Sequence, residues 1–550
     1  MITHSAVNLV LIRISILLLQ YAPLIETALL LYFYQASPRN RPTSHSAAII
    51  ILQTLLAFEA IYYFNLYLPH KTRLLQTKAT HPQPPLNRAQ RQALFDKCAS
   101  NIPDWESYIR GWFLNAPISE IKRDNVREFL LWAFFDIDSN DDATRELDPD
   151  TESHLDSLIS QTESLLGRKF PPGRAGAATT KSLRLTIDPI SIQYRSVLWY
   201  AVVALTDAIT YLHLRHSGFT HHTPASDPDR PLSSSSSSFP PRLSHCRLFQ
   251  PRHHARHHAA PTGTSYYLRP HPPGSADLPI VFLHGIGIGL WPYRDFLSAL
   301  ASSTDVGILA LEHLPISSRL TSPPPTRSEF VSQISAILKA VGWDDGGFVL
   351  ATHSYGSVLA THLLRSPEVS PRIRGLVLVD PVTVLLHLPD VAYNFTRRPP
   401  ARANEWQLWY FASTDPGVAE GLGRYFFWRE NIIWKEELLT ITPTPTPTPT
   451  PAQSGPGEKS EKKRNVAVAL AGRDLIVDTA TVKKYLADND GEKGLQETND
   501  GKICGGGDST PSGIEILWFP DIDHAQVFER PKDMQKVVDV VKRFCVSERN

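Results

Sequence analysis

Short apolar runs are the clearest pattern in the second half of the chain. They cover residues 279–283, 347–350, 376–379, 465–471 and 514–519. A continuous apolar run of this length is consistent with a strand that is buried on both faces. An amphipathic segment at 531–544 predicts a final helix. The second half is therefore predicted to contain a buried sheet.

The N-terminal 80 residues form an apolar region of a different kind. Residues 47–68 are a run with few polar interruptions, long enough to cross a hydrocarbon core at about 1.5 Å per residue. Residues 7–34 are also apolar but carry Arg13, Pro23 and Glu26, which fits either a second, kinked span or an interfacial helix. We expect residues 1–80 to anchor the chain in a lipid bilayer by one or two passes, with no removable signal peptide.

Basic residues near the two runs bear on the orientation. Lys71, Arg73 and Lys78 follow the second run and favour a cytosolic position for the rest of the chain. Arg39 and Arg41 lie between the runs and reduce this contrast. The cytosolic side remains the expectation for the second half.

Two segments of different composition separate the anchor from the predicted sheet. Residues 81–216 carry apolar residues at helical spacing, as in 121–135, and should form a helical region that packs on the membrane or on the second half. Its last part, 198–214, is strongly apolar but contains Asp207, so it fits a buried helix as well as a membrane contact. Residues 217–261 are rich in serine, proline and histidine and are predicted to be a disordered linker.

The most informative motif follows the apolar run at 347–350. Ser354 lies in the sequence Ala-Thr-His-Ser-Tyr-Gly-Ser, and a helical pattern starts directly after it. A serine on a sharp strand-to-helix turn is exposed for nucleophilic attack, and the N–H of the next residue, Tyr355, is left free at a helix N-terminus. Gly356 supplies a small residue where this turn is crowded. Ser354 is therefore the candidate nucleophile.

A serine nucleophile needs a histidine base and a carboxylate that orients the histidine. Asp474 follows the predicted strand that ends at residue 471, and His524 follows the next strand. Both are therefore candidates, in the chain order nucleophile, acid, base. Asp380, which ends an earlier strand, is the alternative acid. His353 adjoins the nucleophile and should point elsewhere, so we expect it to pack under the site.

The reaction also needs N–H donors for an oxyanion. His284 and Gly285 begin a glycine-rich turn after the run at 279–283, and this turn can bring the N–H of Ile286 beside that of Tyr355. The same turn could be interpreted as a dinucleotide site, but the third glycine of that motif is missing. We therefore assign the turn to the oxyanion.

These residues and motifs together resemble the α/β-hydrolase superfamily over roughly 262–545, within a domain that we place at 262–550. The resemblance implies an α/β-hydrolase fold: a mostly parallel sheet with flanking helices and a helical cap inserted at about 381–464. The N-terminal membrane helices and the small helical region would precede it. The layout is similar to that of membrane-associated fungal proteins with this domain. One departure is Thr352, where the family motif has a glycine.

The predicted cap is rich in aromatic residues, among them Trp406, Trp409, Tyr410, Phe426 and Trp434. Such a cap could line an apolar acyl pocket, or it could pack as the core of a lid. A Thr-Pro repeat at 442–451 and a Gly/Asp-rich segment at 488–512 are predicted to be exposed loops.

Composition limits other classes of function. Lys+Arg and Asp+Glu are equal at 55 each, so nothing indicates a nucleic-acid partner. The acidic segment 136–141 lacks the glycine and glutamate of a calcium loop, and the histidines within 253–258 fit a linker better than a metal site. No metal-ligand spacing is present at Cys98, Cys246, Cys504 or Cys545. We expect no metal and no cofactor.

The resemblance and the apolar segments together imply a membrane-tethered serine hydrolase. It would cleave a carboxylic ester of a lipid or another apolar compound through an acyl-enzyme on Ser354. An acyltransferase on the same scaffold is one alternative, because water and an alcohol attack the same acyl-enzyme. A non-catalytic membrane scaffold is the other.

Overall fold

A computed structural model describes residues 2–36, 44–80, 84–138, 147–176, 180–224, 258–260, 263–441, 463–487 and 513–546. Several predictions lie outside these residues: the loops at 442–451 and 488–512, Arg39 and Arg41 between the apolar runs, residues 225–257 of the linker, Cys246, Cys504, and the second half of the 136–141 segment.

The N-terminal region is a set of apolar helices. They are α1 (Ala6–Gln20), α2 (Ala22–Ala36) and α3 (Ser44–Tyr62), which continues through a π-helical turn (Tyr63–Tyr67) into α4 (Leu68–Gln76). The continuous helix Ala47–Gln76 is long and apolar enough to cross a membrane. α1 and α2 meet at an angle of 71°, so the stretch predicted at 7–34 is sharply bent rather than one straight helix.

A second helical region follows. It contains α5 (Arg88–Ala99), α6 (Trp105–Trp112), a 3-10 turn (Ile118–Glu120), α7 (Arg123–Leu130) with a π-helical end (Leu131–Phe135), α8 (Pro149–Leu166) and α9 (Val197–His216). Indole N–H groups tie it to the second half: Trp112 Nε1 donates to His387 O at 3.1 Å, and Trp428 Nε1 donates to Ala133 O at 3.1 Å. α9 also has the length and composition of a membrane span.

One nine-stranded sheet organises the second half. Its strands are β1 (Thr220–Pro224), β2 (His258–Ala260), β3 (Tyr266–Arg269), β4 (Ile280–Leu283), β5 (Ile308–Leu311), β6 (Phe348–His353), β7 (Ile373–Val379), β8 (Asn465–Ala471) and β9 (Ile514–Phe519). Their spatial order is β2-β1-β3-β5-β4-β6-β7-β8-β9. The strands from β5 to β9 in this order are parallel, and β3 pairs antiparallel with β5 and with β1.

The sheet begins before residue 262, where we placed the domain. β1 and β2 come from the segment 217–261, so the prediction of a disordered linker is wrong for these two strands. Their polar, histidine-rich sequence has little strand character. Backbone pairing adds them to the sheet, since β2 pairs with β1 and β1 pairs with β3, as between Thr220 and Leu268.

Helices cover both faces of the sheet. Before the cap these are α10 (Arg294–Ser303), α11 (Arg327–Ala340) and α12 (Gly356–Leu364). The cap lies between β7 and β8 and contains α13 (Pro389–Thr396), α14 (Ala403–Leu408), a π-helical turn (Trp409–Ser413), α15 (Pro416–Arg424), α16 (Trp428–Asn431) and α17 (Lys435–Leu439). α18 (Thr479–Ala487) and α19 (Pro531–Cys545) follow, with short 3-10 turns at Trp291–Tyr293, Leu314–Ile316, Ser370–Arg372 and Gln526–Glu529.

The core occupies both sides of the sheet because successive strand residues face opposite ways. In β4, Val281 and Leu283 belong to one apolar cluster, and Ile280 and Phe282 belong to the other. Burial on both faces explains why the strands appear in the sequence as uninterrupted apolar runs. It also fixes their register, since a slip by one residue would exchange the two clusters.

Candidate active site

Ser354 occupies the turn between β6 and α12. Its φ is +51°, a left-handed backbone conformation that is costly for a residue with a side chain and is concentrated at functional turns. Its N–H donates to Val379 O at 3.0 Å, which holds the turn against β7. The residue is 8% exposed, so the hydroxyl is nearly enclosed.

The backbone around this turn is closely packed. A Cβ on Gly356 would lie 2.3 Å from Leu283 O, and a Cβ on Gly285 would lie 2.8 Å from Ser354 Cβ. Glycine is therefore required at both positions. Thr352, the departure from the family motif, is fully buried within β6, paired in register with Leu283 of β4. A β-branched residue fits this strand position.

His524 lies between Ser354 and Asp474 and bonds to both. Its Nε2 lies 2.9 Å from Ser354 Oγ, and its Nδ1 lies 2.7 Å from Asp474 Oδ2. Asp474 follows β8, and its second oxygen accepts the N–H groups of Ile476 and Val477 at 2.7 and 3.0 Å. The structure thus brings together the three residues that the sequence placed in the roles of nucleophile, acid and base.

Asp380, the alternative acid, lies close by but does not bond to the imidazole. Its Oδ1 accepts the N–H of Ala471 and its Oδ2 accepts the N–H of Ala525, both at 2.9 Å. It therefore ties the end of β8 to the loop that carries His524. The geometry assigns the orienting position to Asp474 and a supporting position to Asp380.

The turn after β4 leaves the N–H group of Ile286 without an acceptor in the described part of the chain. Gly285 N–H donates to Tyr293 Oη at 3.1 Å, and Gly287 N–H donates to Ile316 O at 3.1 Å. Among the described residues, neither Ile286 N–H nor Tyr355 N–H donates a hydrogen bond. Both groups are therefore available to donate to an oxyanion, which is the role that the sequence analysis predicts for them.

His284 supports this turn rather than acting on a substrate. Its Nδ1 bonds Gly285 O at 2.8 Å, and its Nε2 accepts the N–H of His313 at 2.9 Å. Both ring nitrogens are thus used to hold the backbone. Burial lowers the pKa of His284 to about 4, so the ring is neutral and can accept at Nε2.

Carboxylates dominate the electrostatics of His524. Burial disfavours the charged imidazole, but the negative charges of Asp474, Asp380 and Asp523 outweigh it and raise the pKa of His524 to about 9. Burial also raises the pKa of Asp380, to about 6. These surroundings therefore stabilise the imidazolium form of His524 relative to the neutral ring.

Tyr293 is a supporting residue that the sequence did not reveal. Its hydroxyl donates to His353 Nδ1 at 2.7 Å and accepts the N–H of Gly285. His353 packs under the site as expected, with its ring centroid 5.1 Å from that of His524. The tyrosine thus links the oxyanion turn to the residue before the nucleophile. Its sequence, in an ordinary Trp-Pro-Tyr turn, carries no signal for this role.

Asp523 connects the cap to the loop that carries His524. Its Oδ1 accepts the N–H groups of His524 and Leu475, and its Oδ2 accepts from Asn404 Nδ2 at 2.6 Å. Asn404 belongs to α14 of the cap. A shift of α14 would therefore act directly on the residue next to His524.

One set of possible metal ligands occurs in the described part of the chain: Asp380, Asp474 and His524, whose ligand atoms lie within 4.8 Å of one another. Each of these side chains already bonds to protein groups. Both histidine nitrogens are used, and both oxygens of Asp380 accept N–H groups. The set therefore serves a proton-transfer site better than a metal site.

The sequence model of the alpha/beta hydrolase family matches residues 280–493. This range contains Ser354, Asp474 and the turn after β4, and it ends before His524. Residues 280–493 therefore match the α/β hydrolase family, and this match supports hydrolysis as the coarse class of activity. No curated protein matches the chain.

Several solved structures are similar to this chain. Carboxylesterase CesB (YbfK) from Bacillus subtilis is 14% identical, with 50% of this chain and 87% of that chain covered and a TM-score of 0.29. An esterase from Thermogutta terrifontis is 16% identical, with 52% and 97% covered and a TM-score of 0.33. A membrane phospholipase A, described as a bacterial virulence factor, is 13% identical, with 63% and 94% covered and a TM-score of 0.34.

The crowding at Gly356 yields a prediction about stability. Gly356→Ala should destabilise the fold by about 1–3 kcal/mol, because its Cβ would meet backbone atoms that cannot move aside. Gly346→Ala is the matched control, since a Cβ there meets nothing within 4 Å. Thermal unfolding of the full chain in detergent measures both variants. Equal Tm values would contradict the close approach of α12 and β4.

Proposed function

We propose that this chain is a membrane-tethered serine hydrolase that cleaves a carboxylic ester of a lipid or another apolar compound. The supporting observation is the position of His524, 2.9 Å from Ser354 Oγ and 2.7 Å from Asp474 Oδ2. A hydroxyl, an imidazole and a carboxylate in this order are what acyl transfer through a serine requires.

The proposed reaction has two stages. Ser354 Oγ attacks the ester carbonyl carbon while His524 Nε2 takes the hydroxyl proton, and the carbonyl oxygen becomes an oxyanion that the N–H groups of Ile286 and Tyr355 bind. The C–O bond to the alcohol then breaks, and His524 gives the proton to the leaving oxygen. Water attacks the acyl-enzyme by the same proton transfers and releases the acid. Each oxyanion donor is worth about 3 kcal/mol of barrier.

The apolar substrate is supported by the cap beside the nucleophile. Phe426 packs against Tyr355 with ring centroids 6.2 Å apart and is almost fully buried. An apolar side chain thus lies next to the residue that follows Ser354. Other cap aromatics, such as Tyr410 and Trp434, are also buried, and they pack against Arg195 and Lys97 of the helical region.

Membrane tethering is supported by the exposure of apolar side chains on α2 and α3. Leu24 and Tyr32 of α2 and Ile50 and Ile51 of α3 are all about 60% exposed. A water-soluble chain rarely exposes so much contiguous apolar surface. We therefore place both helices in the bilayer.

The end of the long helix contacts the hydrolase domain. Arg73 of α4 pairs with Glu420 of the cap, and Arg73 Nη2 donates to Glu420 Oε2 at 2.9 Å. The hydrolase domain therefore lies on the same side of the membrane as Lys71 and Arg73. The positive-inside rule then favours the cytosolic side.

Loss of the nucleophile tests the proposed chemistry. Ser354→Ala should abolish labelling by a fluorophosphonate and lower kcat on apolar esters by roughly 10⁴-fold or more. Ser302→Ala, on the exposed side of α10, is the matched control and should behave as the wild type. Unchanged labelling in Ser354→Ala would refute the assignment. Added alcohol acceptors in the same assay distinguish transfer from hydrolysis by the products.

The carboxylates around His524 predict a pH dependence. Since the raised pKa of His524 keeps the base protonated at low pH, kcat/KM should rise with pH toward about 9. Asp380→Asn removes a negative charge that favours the imidazolium, so the pKa of His524 should fall and the acid limb should move to lower pH. Asp521→Asn, an exposed residue paired with Arg473, is the control. An acid limb of the kcat/KM profile that stays at the same pH or moves to higher pH in Asp380→Asn would contradict this electrostatic role.

A further inference from the structure

α9 exposes a stripe of large apolar side chains to the outside of the protein. Leu205 is 62% exposed and Leu212 is 58% exposed. The residues of this stripe follow one another at alternating intervals of four and three positions, so they lie on one side of the helix. It consists of Leu198, Val202, Leu205, Ile209 and Leu212. No charged residue interrupts it.

The opposite side of α9 contacts the hydrolase domain along its whole length. Trp199 packs on Phe411 of the cap with ring centroids 5.2 Å apart. Near the middle, Arg319 Nε donates to Asp207 Oδ2 at 3.0 Å, and near the end His213 Nε2 lies 3.0 Å from Ser298 Oγ of α10. α9 therefore lies flat on the domain, and it cannot cross a bilayer unless the domain crosses with it.

The polarity of α9 is inverted relative to a surface helix in water. Its internal charged residue, Asp207, points toward the protein, and its outer side is apolar. A surface helix of a soluble protein places its polar residues outside. Arg215 and His216 appear only at the C-terminal end of the stripe. This distribution fits a helix whose outer side contacts hydrocarbon.

α1 repeats the arrangement on the cap. Ile16 is buried, while the outer side of the helix is apolar and exposed at Val7, Val10, Leu11, Ile14, Leu17 and Leu18. Arg13 lies over the ring of Trp406, 3.9 Å from its centroid, and Ile2 N–H donates to Gln407 Oε1 at 2.9 Å. α1 thus lies along α14 rather than leaving the protein.

The two helices meet the proposed membrane span at one apolar cluster. Tyr62 at the end of α3 and Tyr67 of the following π-helical turn pack there with Trp199 and Tyr200 of α9, and Leu19 of α1 packs against the same group. Tyrosine and tryptophan are enriched where a protein crosses the membrane surface. The cluster therefore marks the level at which α3 leaves the bilayer, and both apolar stripes adjoin it.

We propose that α9 and α1 are in-plane membrane helices that seat the cap side of the hydrolase domain on the lipid bilayer. The occupant of both stripes is the acyl-chain region just below the lipid headgroups. This inference rests on the membrane tethering proposed above but not on the serine chemistry.

Contact of α9 and α1 with the bilayer would also explain where a lipid ester enters the protein. α14 lies between α1 and the catalytic loop, because Asn404 of α14 donates to Asp523 at 2.6 Å beside His524. On the side that carries α1, α14 of the cap therefore lies between the proposed bilayer surface and the loop of His524. An ester drawn from the membrane would reach the site by displacement of α14, without passing through water.

Lipid photo-crosslinking of the full chain tests whether α9 and α1 contact lipid. p-Benzoyl-phenylalanine is placed singly at Leu198, Leu212 or Leu11, in protein reconstituted in dioleoylphosphatidylcholine nanodiscs, and adducts are mapped by mass spectrometry. Ile51 of α3 is the positive control. Leu165, 48% exposed on α8, is the matched negative control. The readout needs no catalysis, so loss of ester hydrolysis would not affect it.

We expect lipid adducts at Leu198, Leu212, Leu11 and Ile51, and no lipid adduct at Leu165. Adducts at Leu198 and Leu212 should map to the same depth of the acyl chain, because a helix in the membrane plane keeps both positions at one level. A helix that spans the bilayer would instead separate them by about 21 Å along the bilayer normal. Different depths, crosslinks to a second protein chain instead of lipid, or equal labelling at Leu165 would overturn the proposal. Absence of lipid adducts even at Ile51 would refute the tethering as well.

Discussion

The two hydrogen bonds of His524 are the interaction on which the site depends. They join residues that lie 170 and 50 positions apart in the chain. These residues meet because β6, β8 and β9 are parallel, so the loops after them lie at the same edge of the sheet. Burial on both faces fixes the register of the strands and therefore the distances between the loops. The geometry of the site is therefore determined by the order and register of the strands.

A second layer of groups holds this edge rigid. Asp380 binds the N–H groups of Ala471 and Ala525, so one carboxylate fixes both the strand before Asp474 and the loop of His524. Tyr293 performs a similar task between Gly285 and His353. Because these polar groups are buried, each must be paired, and the pairing leaves few alternative positions for the reactive side chains.

The sequence predicted the parts of this arrangement that local patterns encode. Ser354, Asp474 and His524 each follow an apolar run, and parallel strands that end together bring them to one edge; their catalytic roles stay predictions. The choice between Asp474 and Asp380 remained open because each of them follows a predicted strand. Only the three-dimensional arrangement of the strands shows that Asp474 is the one that bonds to the imidazole of His524. Tyr293, Asn404 and the strands β1 and β2 had no signal, because their roles arise from contacts between distant segments. The proposed in-plane position of α9 rests on which side of the helix the domain covers, and that contact is not visible in the sequence.

The most direct measurement is a structure of the protein after reaction with an alkyl phosphonate that mimics the tetrahedral intermediate. The account predicts a covalent bond from phosphorus to Ser354 Oγ, with the phosphoryl oxygen accepting the N–H groups of Ile286 and Tyr355 and the alkyl chain directed toward the cap. A phosphonyl group on another residue, or an oxygen directed away from both N–H groups, would contradict it.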